Sequence, residues 1–219
     1  PHPAFPVPEP APVAVAGEPV FATFGNVNTS KRVPQLLEAF ARVRSAHEAS
    51  GLLLVGATSP GFDLDRRLQR LGLDSDGLVR GGYVDEQRLW QLMMAADVHV
   101  NLRSPTMGET SGTAIRALSL GKPLVVSDVG WFAELPDDVA LKIPVDEQEI
   151  ETLQAALELL ATRPDVRRAM GEASLELGVE EKVVQRDLGQ LLLRLDAVQE
   201  EQITAALAPK EKPAVVLSD

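Results

Sequence analysis

The sequence contains no cysteine, which excludes disulfide scaffolds and thiolate metal sites and fits a reducing, cytoplasmic setting. Histidine is scarce. His2, His47 and His99 show no metal-ligand spacing, and no acidic cluster suggests a metal, so none is expected. No run approaches the roughly twenty apolar residues of a spanning helix, and none of the residues given reads as a signal peptide. Positive charge is in deficit: 21 Lys and Arg stand against 32 Asp and Glu, a formal net charge of −11. That balance argues against a nucleic-acid backbone as partner and disfavours adsorption to anionic membranes. The chain begins with Pro1 rather than methionine and is expected to be a piece of a longer polypeptide.

What is present suffices for one ordinary domain with tails: 219 residues, of which 45% are hydrophobic. Residues 1–18 are dominated by Pro, Ala and Val. That composition favours extended backbone and reads as a linker or as a plain disordered terminus. The domain itself is expected over residues 19–198, with a tail over 199–219.

Val20–Phe24, Leu52–Val55, Val98–Leu102, Leu124–Val126 and Val139–Ile143 are short continuous apolar runs, as buried strands require. Leu78-Val79 leads into Gly81-Gly82-Tyr83. Between these runs lie helical patterns over Val33–Ala46 and Leu64–Leu71, and one after Asp85 carrying Leu89, Trp90, Leu92, Met93 and Met94. Asp63 and Asp65 read as helix caps, Met93-Met94 as core, and His99 as a satisfied core histidine. Tyr83 and Trp90 read as core or pocket wall. From Asp146 the pattern is helix only: Ile150, Leu153, Leu157 and Leu160 form one stripe, Pro164 opens another helix, and a long one is marked from Val183 to Leu195. Strands alternating with helices predict an α/β, Rossmann-like, doubly wound parallel sheet with additional C-terminal helices. Such sheets bind ligands beyond the carboxyl ends of their strands. That rule puts Gly25–Lys31, Gly56, Gly81–Val84 and Ser104–Gly112 along one rim.

Within that rim the stretch Arg103–Pro123 stands out. It passes from a strand through a loop of small polar residues into a helix starting at about Gly112, with Gly121 suited to the left-handed closing residue. Thr110 and Ser111 offer N-cap hydroxyls. A helix start of this kind is a cradle of unpaired N–H groups that attracts phosphate. Glu109 sits at its lip, where it serves a ligand or simply offsets the positive helix end. Lys31 and Arg103 are the nearby candidate cations, and Arg103 is equally suited to pairing with a carboxylate.

The order of these motifs resembles the C-terminal, donor-binding half of glycosyltransferase family 4, retaining enzymes of the GT-B fold. The motifs are a glycine loop with a lysine, Leu54-Val55-Gly56, Gly82-Tyr83-Val84, a glutamate loop, and Arg116-Ala-Leu-Ser-Leu-Gly-Lys-Pro123. The resemblance covers about Pro19 to Leu195. It implies a transferase moving a sugar from a nucleotide diphosphate-sugar, with no cofactor beyond that substrate. It also implies an N-terminal acceptor domain missing from this chain, through which peripheral membrane contact is possible. Residue by residue, Gly25 would admit the diphosphate and Lys31 would neutralise it. Asn26 stands near where the family carries an arginine, and Arg103 would replace that cation. Gly82, Tyr83 and Val84 would line the base pocket. Glu109 would accept hydrogen bonds from the sugar hydroxyls, and Thr110, Ser111, Gly112 and Thr113 would hold the pyrophosphate. The sequence departs from the family signature of two glutamates: Arg116 occupies the second position, and Glu109 falls one residue late. These departures suggest a second reading, a non-catalytic nucleotide-sugar-binding or scaffolding domain.

Overall fold

The computed structural model describes residues 13–73 and 77–177. Six strands build one sheet: β1 (Val20–Phe24), β2 (Gly51–Val55), β3 (Leu78–Gly82), β4 (Val98–Asn101), β5 (Leu124–Ser127) and β6 (Ala140–Ile143). All pairings are parallel, in the order β3-β2-β1-β4-β5-β6. The first three strands therefore step outward in one direction. The chain then crosses back to lay β4 against the free side of β1, with Phe21 opposite Val98 and Ala22 opposite His99. The strand order reverses between β1 and β4, where the loops leaving the two strands diverge and open a crevice.

Both faces of the sheet are covered, which is why its strands read as unbroken apolar runs. Successive side chains alternate sides. Phe21, Leu52, Leu54, Val98 and Val125 join a core with α1 (Val33–Ala46), α2 (Leu64–Leu71) and α5 (Glu149–Thr162). Val20, Ala22, Phe24, Leu53 and Val126 join a second core with α3 (Glu86–Ala95) and α4 (Gly112–Ser119). Phe40 of α1 meets Phe21 edge-on, with ring centroids 6.2 Å apart.

The helix boundaries follow local chemistry. Asp63 caps α2 by accepting from Arg66 N–H at 3.1 Å, and Asp85 caps α3 by accepting from Arg88 N–H at 2.8 Å. Asp65 is not a cap; it pairs with Arg80 at 2.6 Å. Residues 164–177 are helical and begin at Pro164, as its position predicts. Met93 is buried as expected, whereas Met94 is partly exposed. Of the expected linker over 1–18, residues 1–12 lie outside the described residues, as do the helix from Val183 to Leu195 and the tail over 199–219. Val13 and Val15, by contrast, pack against the second core, and Glu18 N–H donates to the Ala49 carbonyl at 2.7 Å. Among the described residues no helix is long and apolar enough to cross a membrane.

His99 is the buried histidine the sequence predicts. Its ring stacks on Phe24 at 5.1 Å and its Nε2 lies 2.9 Å from the Met93 carbonyl. Burial pushes its pKa from 6.5 down to about 4, against the hydrogen bond to Met93 and with the help of the Lys122 charge. A folded pKa below the unfolded one means that protonation favours unfolding. The stability is thus whole above pH about 6.5 and is lost as pH falls toward 4. The loss is expected to be on the order of 2–3 kcal/mol. Urea midpoints measured across that window will show it, and His99→Gln is expected to flatten the profile.

Candidate functional site

The crevice between β1 and β4 is walled by the loop 25–32 on one side and the loop 102–111 on the other. The first wall is tied to the β2 side. Gly25 N–H donates to the Val55 carbonyl at 2.8 Å, Val27 N–H to the Ala57 carbonyl at 2.9 Å, and Ser59 N–H to the Val27 carbonyl at 3.1 Å. A Cβ added at Gly56 would lie 1.9 Å from the Gly25 carbonyl oxygen, so the loops touch backbone to backbone. Ser104 N–H donates to the Ser30 carbonyl at 2.9 Å and joins the two walls.

Lys31 folds back over the start of its own loop. Its Cε and Nζ lie 3.6 and 3.9 Å from where a Gly25 Cβ would stand. The Asn28 side chain holds this turn by accepting from Lys31 N–H and Ser30 Oγ, each at 2.9 Å. Burial lowers the Lys31 pKa to about 8; the Arg103 charge adds to the shift and the Glu109 charge opposes it. Lys31, Arg103 and Glu109 are therefore electrostatic neighbours across the crevice. Gly25 and Asn26 are exposed at its lip.

On the second wall the Arg103 guanidinium pairs with Glu109 and lies 5.9 Å over the Phe132 ring. Of the two roles open to Arg103, carboxylate pairing is thus realised. The Glu109 carboxylate is engaged within its own loop. Its Oε2 accepts from Met107 N–H at 2.9 Å and Thr106 Oγ1 at 3.2 Å. Its own N–H and that of Met107 hold its carboxyl down at about 2, so it is an anion at any physiological pH. It stands half-exposed as a fixed acceptor.

Helix α4 starts at Gly112, as its sequence pattern predicts. Ser111, rather than Thr110, is the N-cap, accepting from Ala114 N–H at 3.4 Å. Its hydroxyl and that of Thr113 are 3.1 Å apart. Gly112 opens the helix, and Gly121 follows it with φ +64°. Behind them stand two residues that sequence reasoning missed. Buried Asn101 donates its Nδ2 to Ser111 Oγ at 3.2 Å and Thr113 Oγ1 at 2.8 Å. Buried Ser127 accepts from Arg103 N–H at 2.9 Å. Both are polar residues closing an apolar strand, and that break in pattern is the signal available in the sequence.

The structure corrects one expectation. Tyr83 is not core: 87% of it is exposed, because Gly82 with φ +58° turns the chain outward at the end of β3. Val84, by contrast, packs against the core above α3. Arg116 engages α3. It reaches the first turn of α3, with Nη2 3.5 Å from Glu86, and lies 5.5 Å over the Trp90 ring. Trp90 itself is core. Gly82 ends β3, with Tyr83 and Val84 directly after it, and β3 lies two strands from β1. Among the described residues no three His, Cys, Asp or Glu side chains gather as a metal site.

Residues 18–163 match the family described as glycosyl transferases group 1. The chain belongs to that family. The curated D-inositol 3-phosphate glycosyltransferase of Segniliparus rotundus is 29% identical to it over 169 residues, covering 72% of this chain and 35% of the relative. The chain thus spans about a third of the length of the curated relative it matches. Among solved structures, the C-terminal domain of a glycosyl transferase group 1 protein from Francisella tularensis superposes with a TM-score of 0.66. That match has 16% identity and covers 76% of this chain and 87% of that one. Sucrose-phosphate synthase from Thermosynechococcus elongatus superposes with a TM-score of 0.68 and 25% identity, covering 84% and 47%. HepE from Anabaena, solved with UDP and glucose, gives 0.69 at 20% identity, covering 83% and 49%. The glycosyltransferase domain described here is accordingly the Rossmann-like C-terminal half of a GT-B fold.

Proposed function

We propose that this domain binds the nucleotide diphosphate-sugar donor of a retaining glycosyltransferase of family 4. Its diphosphate would lie between Lys31 and the start of α4. The observation that carries this reading is the meeting of Lys31, Arg103 and Glu109 where the strand order reverses. The neighbour solved with UDP and glucose lends support through its fold. Lys31, Arg103 and the N–H groups of Gly112 and Thr113 would meet the charge developing on the leaving diphosphate. Donors aimed in advance at such charge are commonly a large part of catalysis. Glu109, ionised and held by its own loop, would accept from sugar hydroxyls and orient the ring. It would not carry protons. No cofactor beyond the donor is required.

The acceptor would be held by an N-terminal domain on the same polypeptide, and the isolated chain is expected to bind donor but turn over little or none. A transfer assay on this chain beside the complete polypeptide tests that expectation, and robust turnover by the chain alone overturns it. The site chemistry is tested separately by calorimetric titration with nucleotide diphosphates. Affinity is expected to fall as pH rises through about 8, since Lys31 loses the charge that meets the anion. A flat profile between pH 7 and 9 counts against Lys31 as the phosphate ligand. The rival reading, a domain that binds nucleotide-sugars without transferring them, is favoured by the engagement of Arg116 with α3. Binding by the complete polypeptide without any turnover would select it.

A further inference from the structure

Lys31 is followed directly by Arg32, the one non-glycine residue with positive φ among those described (φ +52°, ψ +28°). A left-handed conformation is costly for a residue with a side chain, and it persists only where its surroundings impose it. Glycine would take that conformation without penalty. Arg32 is also the residue that begins α1, and no side chain caps this helix. The Arg32 side chain is held from outside its own loop. Its guanidinium forks onto Glu149, with Nε donating to Oε1 at 2.8 Å and Nη2 to Oε2. Glu149 lies 117 positions away in the first turn of α5 and is 2% exposed. A carboxylate so deeply buried is tolerable only with a matched cation. A planar fork fixes that cation in orientation as well as in place.

From this juxtaposition we infer that Glu149 is a positioning residue for the diphosphate site: its ion pair keeps Arg32 left-handed, and that turn lays the Lys31 ammonium over Gly25. The inference rests on the donor-site reading above. The chain of contacts is short. Arg32 N–H donates to the Thr29 carbonyl at 2.9 Å, Val33 N–H to the Asn28 carbonyl at 3.3 Å, and Lys31 N–H to Asn28 Oδ1 at 2.9 Å. A change of Arg32 toward the right-handed region would rotate the peptide joining it to Lys31 and withdraw the ammonium from the crevice. The pair does no chemistry itself, because Arg32 and Glu149 touch each other rather than the ligand cradle.

The test uses the 219-residue chain and inorganic pyrophosphate, a probe indifferent to the base, titrated calorimetrically beside thermal unfolding of each variant. Glu149→Gln keeps the shape but removes the charge, and is expected to weaken pyrophosphate binding about tenfold or more. The deciding variant is the double substitution Arg32→Gly with Glu149→Gln. Glycine supplies the left-handed turn unaided and no buried charge is left unpaired. Binding is therefore expected to recover to within about threefold of the unaltered chain, even where the unfolding temperature does not. A merely structural ion pair predicts the reverse, with binding lost in step with stability and no rescue by glycine. Equal binding by the unaltered chain and Glu149→Gln, or a double variant as weak as the single one, overturns the inference and leaves the donor site standing. No pyrophosphate binding by the unaltered chain overturns the donor-site reading, and the inference with it.

Discussion

Replacing Lys31 by alanine in the complete polypeptide is expected to lower sugar transfer by on the order of 10²–10³-fold, the loss typical of one preorganised donor to developing charge. Lys31 is suited to that role because half of its work is done before a ligand arrives. Its ammonium is partly desolvated, pressed against Gly25 and repelled by Arg103, and its pKa has dropped to about 8. An incoming diphosphate relieves that unfavourable state, so the attraction exceeds what a solvated surface lysine would provide. Glu109→Ala is expected to be comparably damaging for a different reason. It would remove the acceptor proposed for the sugar hydroxyls and also free Arg103 from the geometry imposed by their ion pair. Glu109→Gln separates the two effects, since the amide still accepts a hydrogen bond but no longer holds Arg103 by charge. Transfer assays with saturating donor and acceptor measure all three variants. Unchanged activity in both Lys31→Ala and Glu109→Ala would remove the basis of the assignment.

Gly56→Ala is expected to cost about 3–5 kcal/mol of stability and to abolish diphosphate binding together with it. Gly56 has φ +144°, a conformation that costs a residue with a Cβ roughly 1–3 kcal/mol. The added carbon would stand 1.9 Å from the Gly25 carbonyl oxygen, so one of the two loops must move. The hydrogen bond from Gly25 to Val55 is lost in that movement, at about 1 kcal/mol. Packing around buried Val27 is disturbed as well. For a domain of this size each kcal/mol lowers the melting temperature by roughly 2–4 °C, so calorimetry will resolve the change. Gly61→Ala serves as the control. Gly61 also has positive φ (+79°), but nothing lies within 4 Å of its would-be Cβ, so it carries the backbone penalty without the collision. A Gly56→Ala variant no worse than this control would show that the contact between the two loops does not shape the site.

Much of the site was legible from local patterns because it depends on local chemistry. A strand that ends in glycine, as at Gly25 and Gly56, announces a backbone turn whatever surrounds it. Ser111-Gly112 followed by an apolar helical face announces a capped helix start for the same reason. Tyr83 reads as core because an aromatic beside an apolar run usually turns inward. Its direction is set by the left-handed turn at Gly82, and a double glycine does not reveal which of its members bends the chain. Glu149 drew no notice because an acid in the first turn of a helix is ordinarily a solvated one. Its burial arises only once α5 has packed on α1 and brought it to Arg32.

By itself, then, the amino-acid order determined the strands, the helices and their caps, the alternation that forces a doubly covered parallel sheet, and the small-residue loops at its carboxyl rim. These depend on side-chain periodicity and backbone conformational preference, which act over a few residues. Tertiary structure alone decided that β4 returns beside β1, that Arg103 pairs with Glu109 while Arg116 turns to α3, and that Asn101, Ser127 and Glu149 stand behind the site. The physical reason is range. An ion pair or a hydrogen bond is chosen among all partners that folding brings within about 3 Å, and proximity of that kind is a property of packed elements rather than of neighbouring residues.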